Sequence, residues 1–397
     1  MRTSAFALLV SILFLNSCGW KPAEIRAVWV VRDAMVSPEA VAQVIEDAVS
    51  GGFNTLLVQV RGRGDAYYRS DLVPRAEQLA RQPADFDPLH LTIELARKRG
   101  LAVHAWINLL LVSNLSRLPV PRAHVALRHP EWLVLPAALL DKIRRLPAGD
   151  PGRLSARSRH YRKNRKADGL FLDPALPEVQ NHILDVIREL VSRYALDGLH
   201  LDYVRYPGAD PGYGLKALPM FMKLNPETAG DAGSPSRGSL ALVQKHSARW
   251  DQFRRDQVTG LVTRIQQELK HLAPNMLLSA AVVADGDLAY SSRLQDWKRW
   301  VETGILDVVC PMAYTPEPEI FEDRIRIARR SSSRSRLWAG IGAYKLDGDG
   351  IIQQVRLSRQ LGADGFVVFS YNTLAASKKS RKELLEPLAA FLRAEPR

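Results

Sequence analysis

Short apolar runs that carry almost no charge recur along the chain from residue 25 onward. They are rich in valine, isoleucine, leucine and aromatic residues, a composition typical of strands that are buried on both faces of a parallel sheet. Eight such runs predict eight strands, over residues 26–31, 54–61, 102–109, 198–204, 277–284, 307–314, 337–343 and 366–372.

Amphipathic segments with helix start and stop signals fill the intervals between these runs. Ser37-Pro38 and Asp87-Pro88 each place a capping side chain before a proline at the first helical position. Gly51-Gly52 and Gly100 follow the expected ends of these two helices, where glycine is favoured. Further helices are predicted over residues 177–194, 247–272, 296–304, 319–331, 349–361 and 381–393.

The alternation of eight strands with eight helices predicts an α/β fold, a (β/α)8 TIM barrel. An open doubly wound sheet is the alternative, but the glycine-rich turn that it needs after its first strand is missing. A barrel takes about 250 residues, whereas the chain has 397. The surplus lies in residues 62–86, 110–176 and 205–246, each directly after a predicted strand. We therefore expect long insertions in the loops of the C-terminal face, where barrel active sites form.

The first residues have the pattern of an export signal. Arg2 precedes an apolar run over residues 5–15, which is shorter than a membrane-spanning helix. Leu15-Asn16-Ser17-Cys18 then resembles a bacterial lipobox, while an ordinary secretory signal is the alternative. The lipobox implies a lipid anchor on Cys18, and Gly19 in place of aspartate implies the outer membrane of the cell envelope, facing the periplasm. The predicted organisation is a lipoprotein signal peptide at 1–17, a tether at 18–24 and a barrel domain at 25–395.

The positive charge of the chain, +13 in total, is concentrated in one segment. Residues 141–168 hold ten basic and three acidic residues, a net charge of +7. Several prolines and glycines and the lack of apolar periodicity predict a loop over this basic insertion. Contact with an anionic surface or ligand is one interpretation and a solvated variable loop is the other. Nucleic acid is not a predicted partner, because Tyr161 is the single aromatic residue among these charges.

Polar and aromatic side chains cluster where the predicted strands end, which is the informative position in a barrel. Strand alternation places His200 and Asp202 on one face of their strand and His104, Trp106 and Asn108 on one face of another. If these faces point inward, Asp202 and Asn108 lie at the rim and the two histidines lie deeper. By the same rule Gln59 and Arg61 share a face. The predicted substrate-binding residues are Arg61, Asp65, His104, Trp106, Asn108, His200, Tyr203, Arg205, Tyr314 and Tyr371.

A carboxylate surrounded by hydrogen-bonding groups and aromatic rings is typical of carbohydrate sites, because rings stack on sugar faces. Glycoside cleavage normally requires two carboxyl groups. Asp202 is the predicted first one, with a structural ion pair to Arg205 or Arg61 as the alternative interpretation. Glu317 is the predicted second, and Glu319, Asp285 and Asp65 are the other candidates. In a substrate-assisted variant, an N-acetyl group oriented by Tyr314 would replace the second carboxylate.

Other chemistries receive little support from the sequence. A metal site built from His104, His200 and Asp202 lacks any HExxH or CxxC spacing, so we predict neither a metal nor another cofactor. A serine hydrolase is disfavoured because no G-x-S-x-G motif is present.

Six motifs of the chain are specific when they are taken together: Val58-Gln59-Val60-Arg61, Asp65-Ala66-Tyr67-Tyr68, His104-Ala105-Trp106-Ile107-Asn108, Asp197-Gly198-Leu199-His200-Leu201-Asp202, Asp251-Gln252-Phe253-Arg254-Arg255-Asp256 and Pro311-Met312-Ala313-Tyr314. With these motifs the chain resembles the glycosyl hydrolase-like family 10 lipoproteins over about residues 24–375. The resemblance implies a (β/α)8 barrel in the cell envelope that acts on glycan, and some members are linked to cleaving peptidoglycan strands stripped of their peptides. Many members carry a second aspartate where this chain has Tyr203, and Asn-Pro-Tyr where it has Asn108-Leu109-Leu110.

The function that these patterns predict is a glycoside hydrolase acting on envelope or extracellular polysaccharide, with peptidoglycan glycan strands as one substrate. Its partners would be the polysaccharide and the membrane that holds the anchor on Cys18. The alternative is a non-catalytic glycan-binding lipoprotein that retains the barrel cleft.

Overall fold

Eight parallel strands close into a barrel in the computed structural model, which describes residues 24–147, 150–164, 167–231 and 238–395. The predicted (β/α)8 barrel is therefore confirmed, whereas the export signal and Cys18 lie outside the described residues. The strands are β1 Ile25–Val30, β2 Thr55–Arg61, β3 Ala102–Asn108, β4 Leu111–Ser113, β5 Leu170–Phe171, β6 Gly198–Asp202, β7 Leu277–Val283, β8 Val308–Met312, β9 Arg336–Gly342 and β10 Gly365–Phe369. Around the barrel they neighbour each other in the order β1, β10, β9, β8, β7, β6, β3, β2.

The helices begin where the capping signals predict. The Ser37 hydroxyl accepts a hydrogen bond from the Ala40 N–H at 3.2 Å, and Asp87 accepts one from the His90 N–H at 3.0 Å. The α-helices are α1 Pro38–Ser50, α2 Pro88–Lys98, α3 Val125–Arg128, α4 Leu140–Arg144, α5 Gly152–Asn164, α6 Pro177–Arg193, α7 Leu218–Leu224, α8 Gly238–Lys245, α9 Ser247–Leu272, α10 Gly286–Ser292, α11 Trp297–Glu302, α12 Pro318–Ser331, α13 Gly348–Gln360, α14 Tyr371–Leu374, α15 Lys378–Ser380 and α16 Glu386–Ala394.

The interior of the barrel is filled by large side chains rather than left open. Trp29, Trp106 and Trp338 are buried there with small and aliphatic neighbours. His104 stacks at a tilt on Trp338, with ring centroids 5.4 Å apart. Gly198 faces His104 across the β3–β6 pair, and the missing side chain makes room for the imidazole. These packed side chains close the interior of the barrel, so that a cleft at the strand ends has a solid floor.

The long insertions lie on the C-terminal side of the strands, as predicted, and they contain additional secondary structure. β4 and β5 pair as a small antiparallel sheet inside the second insertion. The prediction of a loop throughout residues 141–168 is wrong, because α5 spans Gly152–Asn164. Its buried stripe includes Arg157 and Ser158 beside Leu154 and Tyr161, so polar residues mask the apolar periodicity that would indicate a helix.

No helix within the described ranges is both long enough and apolar enough to cross a membrane.

Candidate active site

A cleft of about 630 Å³ opens at the carboxyl ends of the barrel strands. Strand ends and the first two insertions supply most of its wall, and the third insertion contributes Arg205. The polar and aromatic side chains that line the cleft include Trp29, Arg32, Asp33, Gln59, Trp106, Asn108, Asp168, Asp202, Tyr203, Arg205, Tyr314 and Phe369. The insertions therefore build a cleft where the sequence predicts one.

Asp202 ends β6 at the rim of the barrel and is 8% exposed. Its Oδ1 accepts a hydrogen bond from the Tyr203 N–H at 2.6 Å. Burial raises the pKa of Asp202 to about 6, while the Tyr203 N–H and the charge of Arg205 act in the opposite direction. A carboxyl group with this pKa can hold a proton in mildly acidic solution and release it near neutrality.

Asp168 is a second carboxylate in the same cleft. Its Oδ2 lies 3.3 Å from Nη2 of Arg205, and its side chain is 53% exposed. The negative charge of Asp168 contributes to the raised pKa of Asp202, so the two groups interact electrostatically. The Arg205 guanidinium also lies 4.7 Å from the ring centroid of Tyr203, which follows Asp202 with a left-handed φ of 51°. Arg205 thus interacts with the carboxylates of Asp168 and Asp202 and with the ring of Tyr203.

Aromatic rings form the floor and one wall of the cleft. The ring of Tyr314 stacks on that of Phe369 with centroids 5.5 Å apart and meets Trp29 edge-on at 6.3 Å. Trp106 packs edge-on against Phe369 at 6.4 Å. The hydroxyl pKa of Tyr314 is raised, first by burial and then by the charge of Asp202, so the phenol stays neutral. This surface offers apolar ring faces beside hydrogen-bonding groups.

An amide network fixes the polar side of the cleft. The Asn108 Oδ1 accepts hydrogen bonds from Trp106 Nε1 at 3.1 Å and Gln59 Nε2 at 3.3 Å. The Asn108 Nδ2 donates to the Gly62 carbonyl at 2.7 Å, and Arg32 Nη1 donates to Gln59 Oε1 at 2.6 Å. These bonds preorganise the amides against the strand ends.

The two predicted histidines lie deeper in the barrel than Asp202 and Asn108, as the alternation predicts. His200 Nε2 accepts a hydrogen bond from Trp29 Nε1 at 3.0 Å, and its Nδ1 lies 2.9 Å from the Ser279 hydroxyl. Burial lowers the pKa of His104 to about 4 and that of His200 as well. Both rings are therefore neutral packing groups beneath the cleft rather than part of its wall.

Arg61 does not share the inward face of Gln59, so that prediction is wrong. The pairing of β2 with β3 shifts register between these two residues, and Arg61 pairs with Ile107 instead of an inward-facing residue. Its Nη1 donates to the carbonyls of Asn108 at 2.5 Å and Leu109 at 3.4 Å, outside the cleft. Because of this bulge, the side chain of Arg61 points to the opposite side of the strand from the one that simple alternation of side chains predicts.

Tyr371 also lies outside the cleft. β10 ends at Phe369, three residues before the end of the predicted run at residue 372. Tyr371 therefore begins a short helix and turns outward, where its hydroxyl donates to Asp47 Oδ2 at 2.8 Å. The aromatic residue that faces the cleft from this strand is Phe369.

Two predicted carboxylates lie away from the cleft wall. Glu317 is exposed at the start of α12, where its side chain is hydrogen-bonded to the Thr315 hydroxyl. Asp65 accepts a hydrogen bond from the Arg63 N–H at 2.9 Å and lines a neighbouring depression. Neither residue contributes to the lining of the cleft.

Sequence reasoning missed other residues of the cleft, chiefly Trp29, Arg32, Asp33 and Asp168. Trp29 is hidden in an apolar strand, and Arg32 and Asp33 directly follow that strand, a position that could have indicated them. Asp168 stands at the end of a strongly basic run, where a lone acid is easily assigned to charge balance.

Within the described ranges, no group of three or more histidine, cysteine, aspartate or glutamate side chains is arranged to hold a metal ion.

Solved structures of glycosidases share this fold. A GH42 β-galactosidase named Gan42B aligns with a TM-score of 0.61 and 15% identity over 94% of this chain and 56% of its own. The endo-β-1,4-mannanase of Thermotoga petrophila aligns with a TM-score of 0.53 and 11% identity over 94% of this chain and 77% of its own. At these identities the likeness is one of fold alone.

Curated relatives lie closer in sequence. The glycosyl hydrolase DigH of Escherichia coli strain K12 is 25% identical over 79% of this chain and 67% of its own length. The glycosyl hydrolase YngK of Bacillus subtilis strain 168 is 22% identical over 85% of this chain and 66% of its own. The chain thus spans about two thirds of the length of these relatives. The family model described as glycosyl hydrolase-like 10 matches residues 24–347, which supports a glycoside hydrolase-like function. This chain belongs to the glycosyl hydrolase-like 10 family.

Proposed function

We propose that the protein is a glycoside hydrolase that cleaves envelope or extracellular polysaccharide, with peptidoglycan glycan strands as the leading candidate. The single observation that carries this proposal is Asp202, a carboxyl group with a pKa of about 6 at the rim of an aromatic-walled cleft. A general acid of a glycosidase needs a raised pKa, because it must be protonated when the leaving oxygen departs.

In this proposal Asp202 protonates the glycosidic oxygen of a sugar chain lying along the cleft. The half-buried rings of Tyr314 and Phe369, against which the buried Trp29 and Trp106 pack, stack on sugar faces. The amides of Gln59 and Asn108 bind hydroxyl groups. The Tyr203 N–H, which is hydrogen-bonded to Asp202, then stabilises the carboxylate that remains after proton transfer.

We propose Asp168 as the second carboxyl group, in preference to Glu317. Asp168 lines the cleft, acts on the pKa of Asp202 and is partly accessible to water. The ion pair with Arg205 holds the Asp168 carboxylate in place beside the cleft, where a base or nucleophile would act. Glu317, by contrast, is exposed at a helix start and bonded to Thr315.

Isosteric amide variants test these assignments on purified peptidoglycan and on glycan strands freed of peptides, with new reducing ends as the readout. We expect Asp202→Asn and Asp168→Asn each to lower kcat/KM by about 100-fold or more, since general acid–base groups contribute on the order of 10²–10⁴-fold. Asp287→Asn, at a fully exposed side chain, is the matched control. Undiminished turnover by folded Asp202→Asn protein would overturn the proposal.

The remaining variants distinguish the mechanisms. If Glu317→Gln loses activity and Asp168→Asn does not, Glu317 is the second catalytic carboxyl group. If both retain activity while Asp202→Asn does not, the N-acetyl group of the substrate serves as the nucleophile, and Tyr314→Phe should then lower kcat.

A second candidate function is glycan binding without cleavage. The ion pair that holds Asp168 favours it, because a carboxylate paired with a guanidinium is a weaker nucleophile than a free one. This alternative predicts saturable binding of glycan strands and no new reducing ends after long incubation.

We also propose that a lipid anchor on Cys18 holds the protein in the cell envelope and that the basic insertion contacts an anionic surface. Arg159, Arg162 and Lys163 are exposed on α5 at a spacing that puts them on one helix face. Such a face attracts anionic lipid or glycan more strongly than the same charges scattered along a loop.

A further inference from the structure

A second cavity, of about 160 Å³, lies beside the end of β2 and shares no lining residue with the cleft among the described residues. The side chain of Arg61, 2% exposed, forms part of its wall. Arg61 Nη1 is bonded to two backbone carbonyls, but its Nε has no hydrogen-bond partner within the described ranges. Asp65 and the Tyr68 phenol act on Arg61 electrostatically without forming an ion pair with it. A buried guanidinium in this state lacks the partner that buried charges normally have.

The other residues that line the cavity carry more positive than negative charge. Arg128, His129 and His182 line the cavity together with one carboxylate, Asp71, whose side chain is ion-paired elsewhere and 77% exposed. Burial, followed by the positive charge of Arg61, lowers the pKa of His182 to about 4. The walls thus surround the space with positive charge and neutral imidazole.

We propose that this cavity binds a small oxyanion, a carboxylate or a phosphate, either free or carried on an acidic sugar. The buried charge of Arg61 attracts the anion, the guanidinium of Arg128 donates charge-assisted hydrogen bonds to it, and the His182 ring closes the third side. The cavity, about 160 Å³, has at least ten times the volume of about 10–15 Å³ that one water molecule needs, which leaves room for a small oxyanion. The inference is independent of the proposed hydrolase activity, because it concerns separate residues and a separate readout.

Titration calorimetry of the full chain with inorganic phosphate, at constant ionic strength and pH 7.5, tests the site. We expect saturable binding of one phosphate per chain. Arg128→Gln should raise Kd about tenfold, as for the loss of one charge-assisted hydrogen bond, and His182→Ala should raise it severalfold. Arg61 is left intact because it also holds the backbone. The matched control is Arg122→Gln, an exposed arginine nearby that does not line the cavity.

Parallel titrations with glucuronate and with glucose separate the sources of the anion. Binding of glucuronate but not glucose, weakened by the same two variants, indicates a site for a sugar-borne acid, whereas binding of phosphate alone indicates a free ion. Absence of saturable binding for both anions overturns the proposal. So does binding that survives Arg128→Gln and His182→Ala but is lost in Arg205→Gln, because the anion then occupies the cleft.

Discussion

The carboxyl group of Asp202 is buried at the rim of the barrel, and this position has an energetic cost. Removal from water disfavours the charged form, and the Tyr203 N–H and Arg205 compensate only in part, which leaves the pKa at about 6. An unperturbed aspartate has a pKa of about 3.9. The folded state therefore holds a proton on Asp202 at pH values where the unfolded chain has released it.

This difference predicts that Asp202→Asn stabilises the protein in a pH-dependent way. Because the folded pKa is raised, the folded form is favoured below about pH 4, and this advantage is lost as the pH rises toward 6. Between pH 4 and pH 7.5, the free energy of unfolding of the variant should gain up to about 3 kcal/mol relative to the parent. Denaturant unfolding at both pH values measures the gain.

The control for this measurement is Asp287→Asn, at a side chain that is fully exposed. It should show the same difference from the parent at both pH values. A gain for Asp202→Asn that is equal at pH 4 and pH 7.5 would contradict the raised pKa. A residue whose removal stabilises the fold while it abolishes turnover would fit a group kept for catalysis.

At the scale of elements, the position of a residue in a barrel strand determines where its side chain points. The exceptions are residues at which a strand is irregular or ends early. The predicted strands agree with the structure to within about three residues at each end because their apolar runs are long and nearly free of charge. Helix α9 begins and ends at the predicted Ser247 and Leu272. Arg61 and Tyr371 could not be placed, since a bulge and an early strand end depend on tertiary pairing. The sequence does not indicate Asp168 as a cleft residue, because it follows ten basic residues whose charge an acid would simply balance.

Two glycine substitutions test how tightly the strand interior is packed. A Cβ on Gly198 would lie 2.2 Å from Nδ1 of His104, whose ring is held against Trp338. We expect Gly198→Ala to lower the free energy of unfolding by about 1–3 kcal/mol through overpacking. Gly260 in α9 has no neighbour within 4 Å of an added Cβ, so Gly260→Ala should raise stability by about 0.5–1 kcal/mol.

Thermal and denaturant unfolding of both variants give the comparison. Equal effects of the two substitutions would show that the imidazole can move aside, and the packed floor beneath Asp202 would then be less rigid than the contacts indicate.

At the scale of the whole molecule, the net charge of +13 is distributed unevenly over one fold. The exposed residues Arg159, Arg162 and Lys163 project from one face of α5 in the insertion that also carries Asp168 into the cleft. The insertion that carries this face follows the carboxyl end of β3, the side of the barrel on which the cleft opens. Surface attachment and substrate access would then be arranged on the same side of the barrel.

This arrangement predicts salt-dependent binding to anionic membranes. In co-sedimentation with vesicles containing phosphatidylglycerol, the full chain should bind at low salt and dissociate as ionic strength rises, because exposed charges are screened over about 10 Å at 0.1 M salt. Replacing Arg159, Arg162 and Lys163 by glutamine should remove most of the binding, at about 1 kcal/mol for each cation near the surface. The same change at the exposed Lys378, Lys379 and Lys382, far along the chain, alters the net charge equally and serves as the control. Equal losses in the two triple variants would mean that net charge, and not the α5 face, governs attachment.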